Sequence, residues 1–367
     1  MIPVFKPSMG RAEADAVAAV MASGWIGLGP KTAEFERAFA GYVGAPHCVG
    51  LNSGTAALDL AMILAGVGPG DEVIVPTITF VATAHAVLHR GATVIFADVD
   101  PGTLNISFDD VAAKLTPRTK AVVPVHYAGR PVDVRALKKL VGERVAVIED
   151  CAHAAGASYY GRRVGAEGNL SCFSFHAVKN LATGDGGALV TSDRALADRA
   201  KRLRWLGIDR DTWTRTEENR QYWWRYNVTE LGYKCHMNDL TAAIGLVQLE
   251  KLDAMNARRR EIVRMYNEQL AGVVETPPDD TDEFRSAWHI YCIRADRRDD
   301  LAVHLQRHGV STGVHYFPIH LYENCYGPQS PLPVAEREIK RMMSLPIFPD
   351  LADDQVTHIC ETIRRFY

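Results

Sequence analysis

Hydrophobic positions along residues 50–153 follow two alternating spacings. Short runs of adjacent apolar residues predict buried strands at 71–76, 92–100, 121–128 and 145–153. Apolar residues three or four positions apart predict helices before and between them, at 54–66, 82–91, 109–116 and 133–142. Strand–helix units in this rhythm are typical of an α/β fold, in which a mostly parallel sheet carries helices on both faces.

The rhythm changes after residue 153. The runs 171–180 and 184–193 follow each other closely, which predicts strands of different direction near a functional site. Helical spacing follows at about 194–206 and again over roughly 238–270. We expect a large domain over residues 1–250.

The C-terminal part has its own pattern. Beyond an exposed connection at 279–286, an apolar run at 288–296, a helix near 298–308 and the stretch 310–318 predict a smaller α+β domain. We expect this domain over residues 251–367. The segment 207–233 is polar and aromatic without a clear period, so it predicts a long excursion between regular elements.

Composition and charge exclude several classes of protein. The 367 residues are 47% hydrophobic and 23% charged, and the net charge of −3 gives no reason to expect nucleic acid or an anionic membrane as partner. Seven scattered cysteines without a C-x-x-C pair argue against a disulfide framework and against a zinc ribbon. No run is apolar enough to span a bilayer, and the start lacks the pattern of a secretory signal. We expect a cytoplasmic protein.

Common catalytic motifs are missing from the sequence. It contains no G-x-x-x-x-G-K-[ST] loop, no H-E-x-x-H, no G-x-S-x-G and no G-x-G-x-x-G after a strand. Nucleotide hydrolysis, zinc proteolysis and standard hydride transfer therefore have no support. The histidines show no clear metal-ligand spacing, and we expect no metal site.

The run SGTAA at residues 53–57 places small residues directly before an apolar helix. The exposed N–H groups and the dipole of such a helix start form a site for an anion such as a phosphate, to which the Thr55 hydroxyl could add. The alternative is a plain N-cap, because serine and threonine are common before helices.

The run VIEDCAH places Glu149 and Asp150 at the end of an apolar strand. Ligands of open α/β sheets bind at the carboxyl ends of strands. A carboxylate there could hold a heteroaromatic nitrogen in its protonated form, which a pyridoxal phosphate (PLP) ring needs to act as an electron sink. The alternatives are an aspartate that caps the next turn or binds a metal.

Lys179 lies among apolar and small residues, directly after FSFHAV. Burial disfavours the ammonium form, which frees the amine for Schiff-base chemistry. Taken alone, a structural lysine is the more frequent case. Ser174, five residues earlier, could reach a phosphate, and the glycines of GDGG allow backbone to pass close to a ligand. A phosphate site, an acid and a lysine in this order form the arrangement that a PLP enzyme requires.

With these motifs in view, the chain resembles the DegT/StrS-type nucleotide-sugar aminotransferases nearly from end to end. Further runs that carry the resemblance are residues 23–44, 68–87, 242–253, 313–320 and 344–351. The runs HYAG, IEDCAHAAG and FSFHAVKN look most like the UDP-4-keto-pentose aminotransferases of this family. The resemblance implies PLP, fold type I as in aspartate aminotransferase, a mostly parallel seven-stranded sheet, and a homodimer with active sites at the subunit interface.

The resemblance also implies roles for individual residues. Lys179 would form the Schiff base and shuttle a proton, Asp150 would pair with the pyridine nitrogen, and Phe80 would stack on the ring. His153 would lie near the phenolic oxygen of the ring. The further residues implied to bind cofactor are Gly54, Thr55, Ala56 and Ser174, and those implied to bind substrate are Trp25, His176, His315 and Tyr316.

One position departs from the family. After Gly232 and Tyr233 the family usually places an asparagine that reaches the phosphate in the neighbouring subunit, and here Lys234 and His236 stand at the two positions where it tends to occur. A cation could bind the same phosphate. Other basic side chains, Arg202, Arg204 and the run 258–260, are interpreted as solvated helix faces.

The function that the resemblance implies is transfer of an amino group from L-glutamate to the C4 ketone of a keto-deoxysugar linked to dTDP, UDP or GDP, for amino-sugar biosynthesis. The preference for C4 depends on the ATGDGG context after Lys179. The alternatives are a C3-ketosugar or cyclitol aminotransferase, a sugar dehydratase, in which histidine replaces the lysine, and a non-catalytic regulator. Four tryptophans of the aromatic segment 205–226 would either cover the sugar site or pack at a dimer interface: Trp205, Trp213, Trp223 and Trp224.

Overall fold

The computed structural model describes residues 1–167, 170–209 and 226–367. Its α-helices are α1 (Arg11–Ser23), α2 (Pro30–Val43), α3 (Gly54–Leu64), α4 (Ala82–Leu88), α5 (Phe108–Lys114), α6 (Val134–Val141), α7 (Arg194–Leu203), α8 (Asp239–Leu270), α9 (Arg298–Arg307), α10 (Glu323–Tyr326), α11 (Pro333–Glu338) and α12 (Asp353–Arg364). Its strands are β1 (His47–Leu51), β2 (Glu72–Pro76), β3 (Thr93–Ala97), β4 (Thr119–Val122), β5 (Ala146–Asp150), β6 (Ser158–Tyr159), β7 (Arg162–Arg163), β8 (Leu170–Ser174), β9 (Gly187–Thr191), β10 (Phe284–Arg285), β11 (Tyr291–Arg294) and β12 (Met342–Leu345).

A seven-stranded sheet forms the centre of the molecule, with its strands in the order β1-β9-β8-β5-β4-β2-β3. All neighbouring pairs from β8 to β3 are parallel, and β9 runs antiparallel to both β1 and β8. The mostly parallel α/β sheet is therefore confirmed, and so is the change of strand direction after residue 153. The carboxyl ends of β5 and β8, at Asp150 and Ser174, lie side by side because these strands pair in parallel register.

Both faces of the sheet are covered. Successive side chains of a strand point to opposite faces, so alternate residues of β2 divide between two apolar cores. Val73 and Val75 pack into the core that holds α3, whereas Ile74 packs into the core that holds Phe35 of α2 and Leu137 of α6. Burial on both faces explains why β2 reads as a continuous apolar run rather than as an alternating one.

A third core lies in the C-terminal part of the chain. The second half of α8, the antiparallel pair of β11 and β12, α9 and α12 contribute to it, among them Tyr266, Ile293, Leu301 and Ile359. The predicted helices over 238–270 and 298–308 are confirmed by α8 and α9. The division into a large domain over 1–250 and a small one over 251–367 stays a prediction.

Two of the basic residues interpreted as solvated are buried, so that interpretation was wrong for them. Arg204 is 4% exposed and pairs with Glu36 of α2 while its Nη1 donates to the carbonyl of Gly50 at 2.8 Å. Arg259 is 3% exposed and donates to the carbonyl of Ile347 at 2.9 Å. The guanidinium group has five N–H donors, so each arginine can bind backbone carbonyls where helices and strands meet. The spacing of residues along a helix does not reveal such contacts.

Of the four tryptophans in the segment 205–226, Trp213, Trp223 and Trp224 lie outside the described residues, so their two interpretations stay open. Trp205 follows α7 and packs edge-on against His236, with ring centroids 4.5 Å apart. Among the described residues, no helix combines the length and apolar character needed to cross a membrane.

Candidate active site

A cavity of about 370 Å³ opens at the carboxyl ends of β5 and β8. Residues far apart in the chain line it, from Phe5 to Tyr316. It brings together most of the predicted site residues: Gly54, Thr55, Phe80, Asp150, His153, Ser174, His176, Lys179, His315 and Tyr316. Residues of three motifs that are separate in the sequence therefore line one cavity.

The start of α3 forms one end of the cavity. Ser53 is the N-cap, and its Oγ accepts the N–H of Ala56 at 3.1 Å. The N–H groups of Gly54 and Thr55 precede the first intrahelical hydrogen bond, so they have no helical acceptor. Together with the helix dipole, these groups suit a phosphate. The N-cap and the anion site are thus compatible, since they use different N–H groups.

Glycine is required where this loop meets the sheet. A Cβ on Gly54 would lie 2.8 Å from Cβ of Ser174, and one on Gly187 would lie 2.3 Å from the carbonyl carbon of Ser53. The loop before α3 therefore packs directly on the ends of β8 and β9. This close approach places Ser174 beside the anion-binding end of the cavity.

Asp150 ends β5 and is 4% exposed. Its Oδ1 accepts the N–H of Ala152 at 3.1 Å, and its Oδ2 accepts the hydroxyl of Thr83 at 2.8 Å. Burial raises the pKa of the Asp150 carboxyl, although these two hydrogen bonds and the charge of Lys179 act against that rise. A protonated ring nitrogen placed in the cavity would supply a positive partner for this carboxylate.

Lys179 follows β8 in a turn, in which its N–H donates to the carbonyl of His176 at 2.8 Å. Burial lowers the pKa of its amine to about 8, while the nearby Asp150 carboxylate raises it. The amine is therefore neutral in a larger fraction of molecules near neutral pH than an exposed lysine would be. A neutral amine is the form that reacts with a carbonyl group.

Aromatic and imidazole side chains also line the cavity. Phe80 is 57% exposed, with its ring centroid 5.9 Å from that of Tyr316. His153 Nε2 lies 3.1 Å from the hydroxyl of Tyr316, and His315 Nδ1 lies 2.9 Å from Ser344 Oγ. Buried Nδ1 of His153 has no hydrogen-bond partner within the described part of the chain. An exposed aromatic face and an unsatisfied imidazole nitrogen are features that a bound aromatic ring with polar substituents would complete.

Four predicted site residues do not line the cavity in the single chain. Ala56 uses its N–H in the cap of α3, and Trp25 Nε1 donates to the carbonyl of Leu28 at 3.0 Å. Lys234 Nζ lies 3.2 Å from the centroid of the Trp205 ring, against which His236 also packs. Burial lowers the pKa of His236 to about 4, so its ring is neutral. A contact of Lys234 or His236 with the phosphate of a neighbouring subunit stays a prediction.

Sequence reasoning missed several residues of the site. Thr83 lies three residues after Phe80, on α4, and its role depends on a hydrogen bond to a strand 67 positions away. His289 lies 3.4 Å from Lys179, and Phe5 stacks on His289 with ring centroids 5.1 Å apart. The only signal in the sequence near Thr83 was Phe80, three residues earlier. No motif or spacing in the sequence indicated that Phe5 or His289 belongs to the site.

A buried polar cluster lies on the other face of β5, where Glu149 points away from Asp150. Oxygen, nitrogen and sulfur atoms of His126, Glu149 and Cys151 lie within 4.8 Å of one another. His126 Nδ1 accepts the N–H of Val132 at 3.0 Å, and Glu149 accepts the Ser171 hydroxyl at 2.9 Å. Since these atoms already have hydrogen-bond partners, the cluster supports the strand end and carries no argument for a metal.

The residues present fit PLP. The helix start suits its phosphate, the buried carboxylate suits its ring nitrogen, the exposed Phe80 suits its ring face, and the Lys179 amine suits its aldehyde. Bound there, PLP supplies the electron sink for moving an amino group. The side chains supply binding, orientation and proton transfer.

Comparison with known proteins supports the same conclusion. Residues 7–364 match the model of the DegT/DnrJ/EryC1/StrS aminotransferase family. The chain is 41% identical to the spore coat polysaccharide biosynthesis protein SpsC of Bacillus subtilis, over 99% of this chain and 96% of SpsC.

Solved structures are also similar to this chain over nearly its whole length. The aminotransferase TlmJ of Streptoalloteichus hindustanus superposes with a TM-score of 0.93 at 42% identity, covering 100% of this chain and 98% of TlmJ. The putative sugar aminotransferase Spr1654 of Streptococcus pneumoniae, in its PMP form, has a TM-score of 0.93 at 32% identity and the same coverage.

These matches span nearly the whole chain, so the predicted family, the fold of type I, the class of enzyme and its cofactor, PLP, are confirmed. The chain belongs to the DegT/DnrJ/EryC1/StrS aminotransferase family.

Proposed function

We propose that this aminotransferase moves an amino group from L-glutamate to the C4 ketone of a nucleotide-linked keto-deoxysugar, in the biosynthesis of an amino sugar. The observation that carries the proposal is the single cavity in which Lys179, Asp150 and the start of α3 meet. The names of the relatives agree with a sugar substrate, since Spr1654 is called a putative sugar aminotransferase and SpsC a polysaccharide biosynthesis protein.

Each side chain has a defined task in this proposal. With the cofactor bound, the amine of Lys179 would take the proton from one carbon bonded to the migrating nitrogen and deliver it to the other carbon bonded to that nitrogen. Asp150 holds the positive charge of the ring nitrogen, and Thr83 fixes the direction of that carboxylate. Gly54, Thr55 and Ser174 bind the phosphate, and Phe80 covers one face of the ring.

The sugar nucleotide would enter past His315 and Tyr316. Both line the cavity, and burial lowers the pKa of His315 to about 4, so that a neutral imidazole faces the substrate. His176 is exposed at the cavity, where it can contact a polar substrate. Trp25, Lys234 and His236 would contribute across the interface of a homodimer.

A cytoplasmic location belongs to the same proposal. All seven cysteines are free thiols in the structure. Thiols stay reduced in the cytoplasm, where glutathione and thioredoxin act on them.

The decisive experiment gives the PLP-loaded enzyme L-glutamate and a panel of UDP-, dTDP- and GDP-ketosugars with the ketone at C3 or C4. We expect an aminated C4 product by mass spectrometry, with its position assigned by NMR. The variant Lys179→Ala, which lacks the proton-carrying amine, should form no product above background. If the enzyme aminated only C3 ketones or only a cyclitol, the proposed substrate would be wrong. If the product had lost water without gaining nitrogen, the proposed reaction would be wrong.

A further inference from the structure

His289 lies directly against the amine of Lys179. The imidazole is 1% exposed, and its Nε2 is 3.4 Å from Lys179 Nζ, at the long end of the hydrogen-bond range. The other ring nitrogen, Nδ1, is 3.2 Å from Oδ1 of Asn180. Phe5 covers one face of the ring in a near-parallel stack, with an interplanar angle of 11°. The ring therefore has one fixed place and two defined polar neighbours.

Asn180 determines which nitrogen of His289 carries the proton. Its Nδ2 is 2.6 Å from the carbonyl of Ala287 and 2.8 Å from Oδ1 of Asn256. A carbonyl oxygen only accepts, so the amide nitrogen of Asn180 must face Ala287, and its oxygen must face His289. That oxygen also only accepts, so Nδ1 of His289 must be the donor.

A second carbonyl fixes the chain of hydrogen bonds at its far end. Asn256 Nδ2 donates to the carbonyl of Ala155 at 2.9 Å, which leaves its Oδ1 to accept from Asn180. Both asparagines are buried. Neither amide can turn over without leaving a buried donor or acceptor unsatisfied, which costs about 1–3 kcal/mol for each group.

His289 is also neutral. Burial lowers the pKa of its ring well below the ordinary value, and the nearby Lys179 lowers it further. A neutral imidazole has one proton, which Nδ1 carries. The lone pair of Nε2 then points at the Lys179 amine.

We propose that His289 is a positioning residue for this enzyme: its Nε2 accepts a hydrogen bond from the Lys179 amine and holds that amine in place whenever it is not bonded to the cofactor. A lysine has a long flexible side chain, and its amine must be found in one place to take and return a proton. The proposal depends on the proposed role of Lys179. Its tests use cofactor-free protein, so that they succeed or fail independently of the sugar that the enzyme aminates.

The first test needs no variant. Neutron diffraction from deuterated crystals of the cofactor-free protein should show deuterium on Nδ1 of His289, directed at Asn180, and none on Nε2. Deuterium on Nε2 would overturn the proposal, because that nitrogen could then not accept from the lysine.

The second test uses a matched pair of variants. In His289→Asn the amide can replace Nδ1 toward Asn180 but nothing replaces Nε2, whereas in His289→Gln the longer side chain can put an oxygen where Nε2 was. The readout is the pH midpoint for covalent labelling of Lys179 by an amine-reactive reagent, followed by peptide mass spectrometry. Melting curves show whether each variant folds.

We expect the midpoint of His289→Asn to lie about one pH unit below that of the wild type, because a lost acceptor no longer stabilises the ammonium form. His289→Gln should restore the midpoint to near the wild-type value. An unchanged midpoint in His289→Asn, or equal shifts in the two variants, would show that His289 acts only in packing. If neither variant folds, the neutron result decides the proposal.

Discussion

The carboxylate of Asp150 is buried, and it forms no salt bridge with any of the described residues. Its pKa is raised by burial, so the charged form is disfavoured in the cofactor-free protein. Below the pKa that Asp150 has in the unfolded chain, the carboxyl is protonated in both states and its burial costs no charge. As the pH rises to and through the higher pKa of the folded state, the free energy of unfolding falls. PLP would offset that cost by placing a protonated nitrogen beside the carboxylate.

The variant Asp150→Asn should therefore separate stability from cofactor binding. At neutral pH we expect the cofactor-free variant to melt at or above the wild-type temperature, with the difference vanishing below about pH 4. The amide can keep both hydrogen bonds, because Thr83 can accept from it and donate to Thr79, 2.8 Å away. Activity should fall by at least about 100-fold, since the ring nitrogen loses its ionic partner.

Calorimetry of the cofactor-free proteins and steady-state kinetics measure the two effects. Asp198→Asn, on the exposed face of α7, is the matched control and should change neither quantity. A cofactor-free Asp150→Asn protein that melts well below the wild type would contradict the inference that the buried charge of Asp150 destabilises the cofactor-free protein.

Thr83 directs the carboxylate of Asp150 through a single hydroxyl. Replacing it in Thr83→Val keeps the side-chain shape and removes a hydrogen bond to a charged group, which is worth about 1.5–3 kcal/mol. We expect PLP to bind about tenfold or more weakly, measured by fluorescence titration of the cofactor-free protein. Thr83→Ser retains the hydroxyl and should bind as the wild type does; equal affinity in all three proteins would be evidence against the role of this hydrogen bond.

At the scale of elements, the anion-binding end depends on how closely α3 approaches the β8–β9 pair. The Cβ of an alanine at 187 would lie 2.3 Å from backbone atoms of Ser53, which cannot move aside as a flexible side chain can. The approach is possible only because β9 begins with a glycine. In the sequence, the glycines of GDGG predicted a close approach of backbone to a ligand, but not this contact between β9 and the loop before α3.

The variant Gly187→Ala should therefore lose several degrees in melting temperature and most of its affinity for phosphate-bearing ligands. Gly41→Ala is the control, because Gly41 lies exposed inside α2 with no atom near its would-be Cβ. That change should stabilise the protein by about 0.5–1 kcal/mol, since alanine favours a helix over glycine. Thermal melts and PLP titration of both variants test this, and a Gly187→Ala protein with wild-type behaviour would refute the close packing.

At the scale of the whole molecule, the cavity joins parts of the chain that are far apart. Phe5, Asp150, Lys179, His289 and Tyr316 come from five separate segments. The helix α8 supports several of them, since Asn256 from its middle holds Asn180 and Arg259 reaches the carbonyl of Ile347. A cofactor bound in this cavity would contact elements from most of the chain at once.

We therefore expect PLP to stabilise the entire molecule rather than one segment. A ligand at 100 times its dissociation constant adds about 2.7 kcal/mol, which should raise the melting temperature by several degrees. Lys179→Ala should keep its unliganded melting temperature and show a smaller rise, because the covalent link is lost while the phosphate and ring contacts remain. Differential scanning fluorimetry with and without PLP measures this; an equal rise in both proteins would argue against Lys179 as the attachment point.

The sequence by itself determined the local elements and the order of the motifs. The spacing of apolar residues is a local property, so it predicted β2 to β5 and helices α3 to α9, and the small residues of 53–57, the acid at 150 and the lysine at 179 stood out against their neighbours. Only the tertiary structure decided which side chains meet. The contacts of Lys179 with His289, of Asp150 with Thr83 and of Arg204 with Glu36 join positions 110, 67 and 168 residues apart. No periodicity encodes such pairs, because they follow from how strands are ordered and how helices pack on them, and the proton on His289 follows in turn from those contacts.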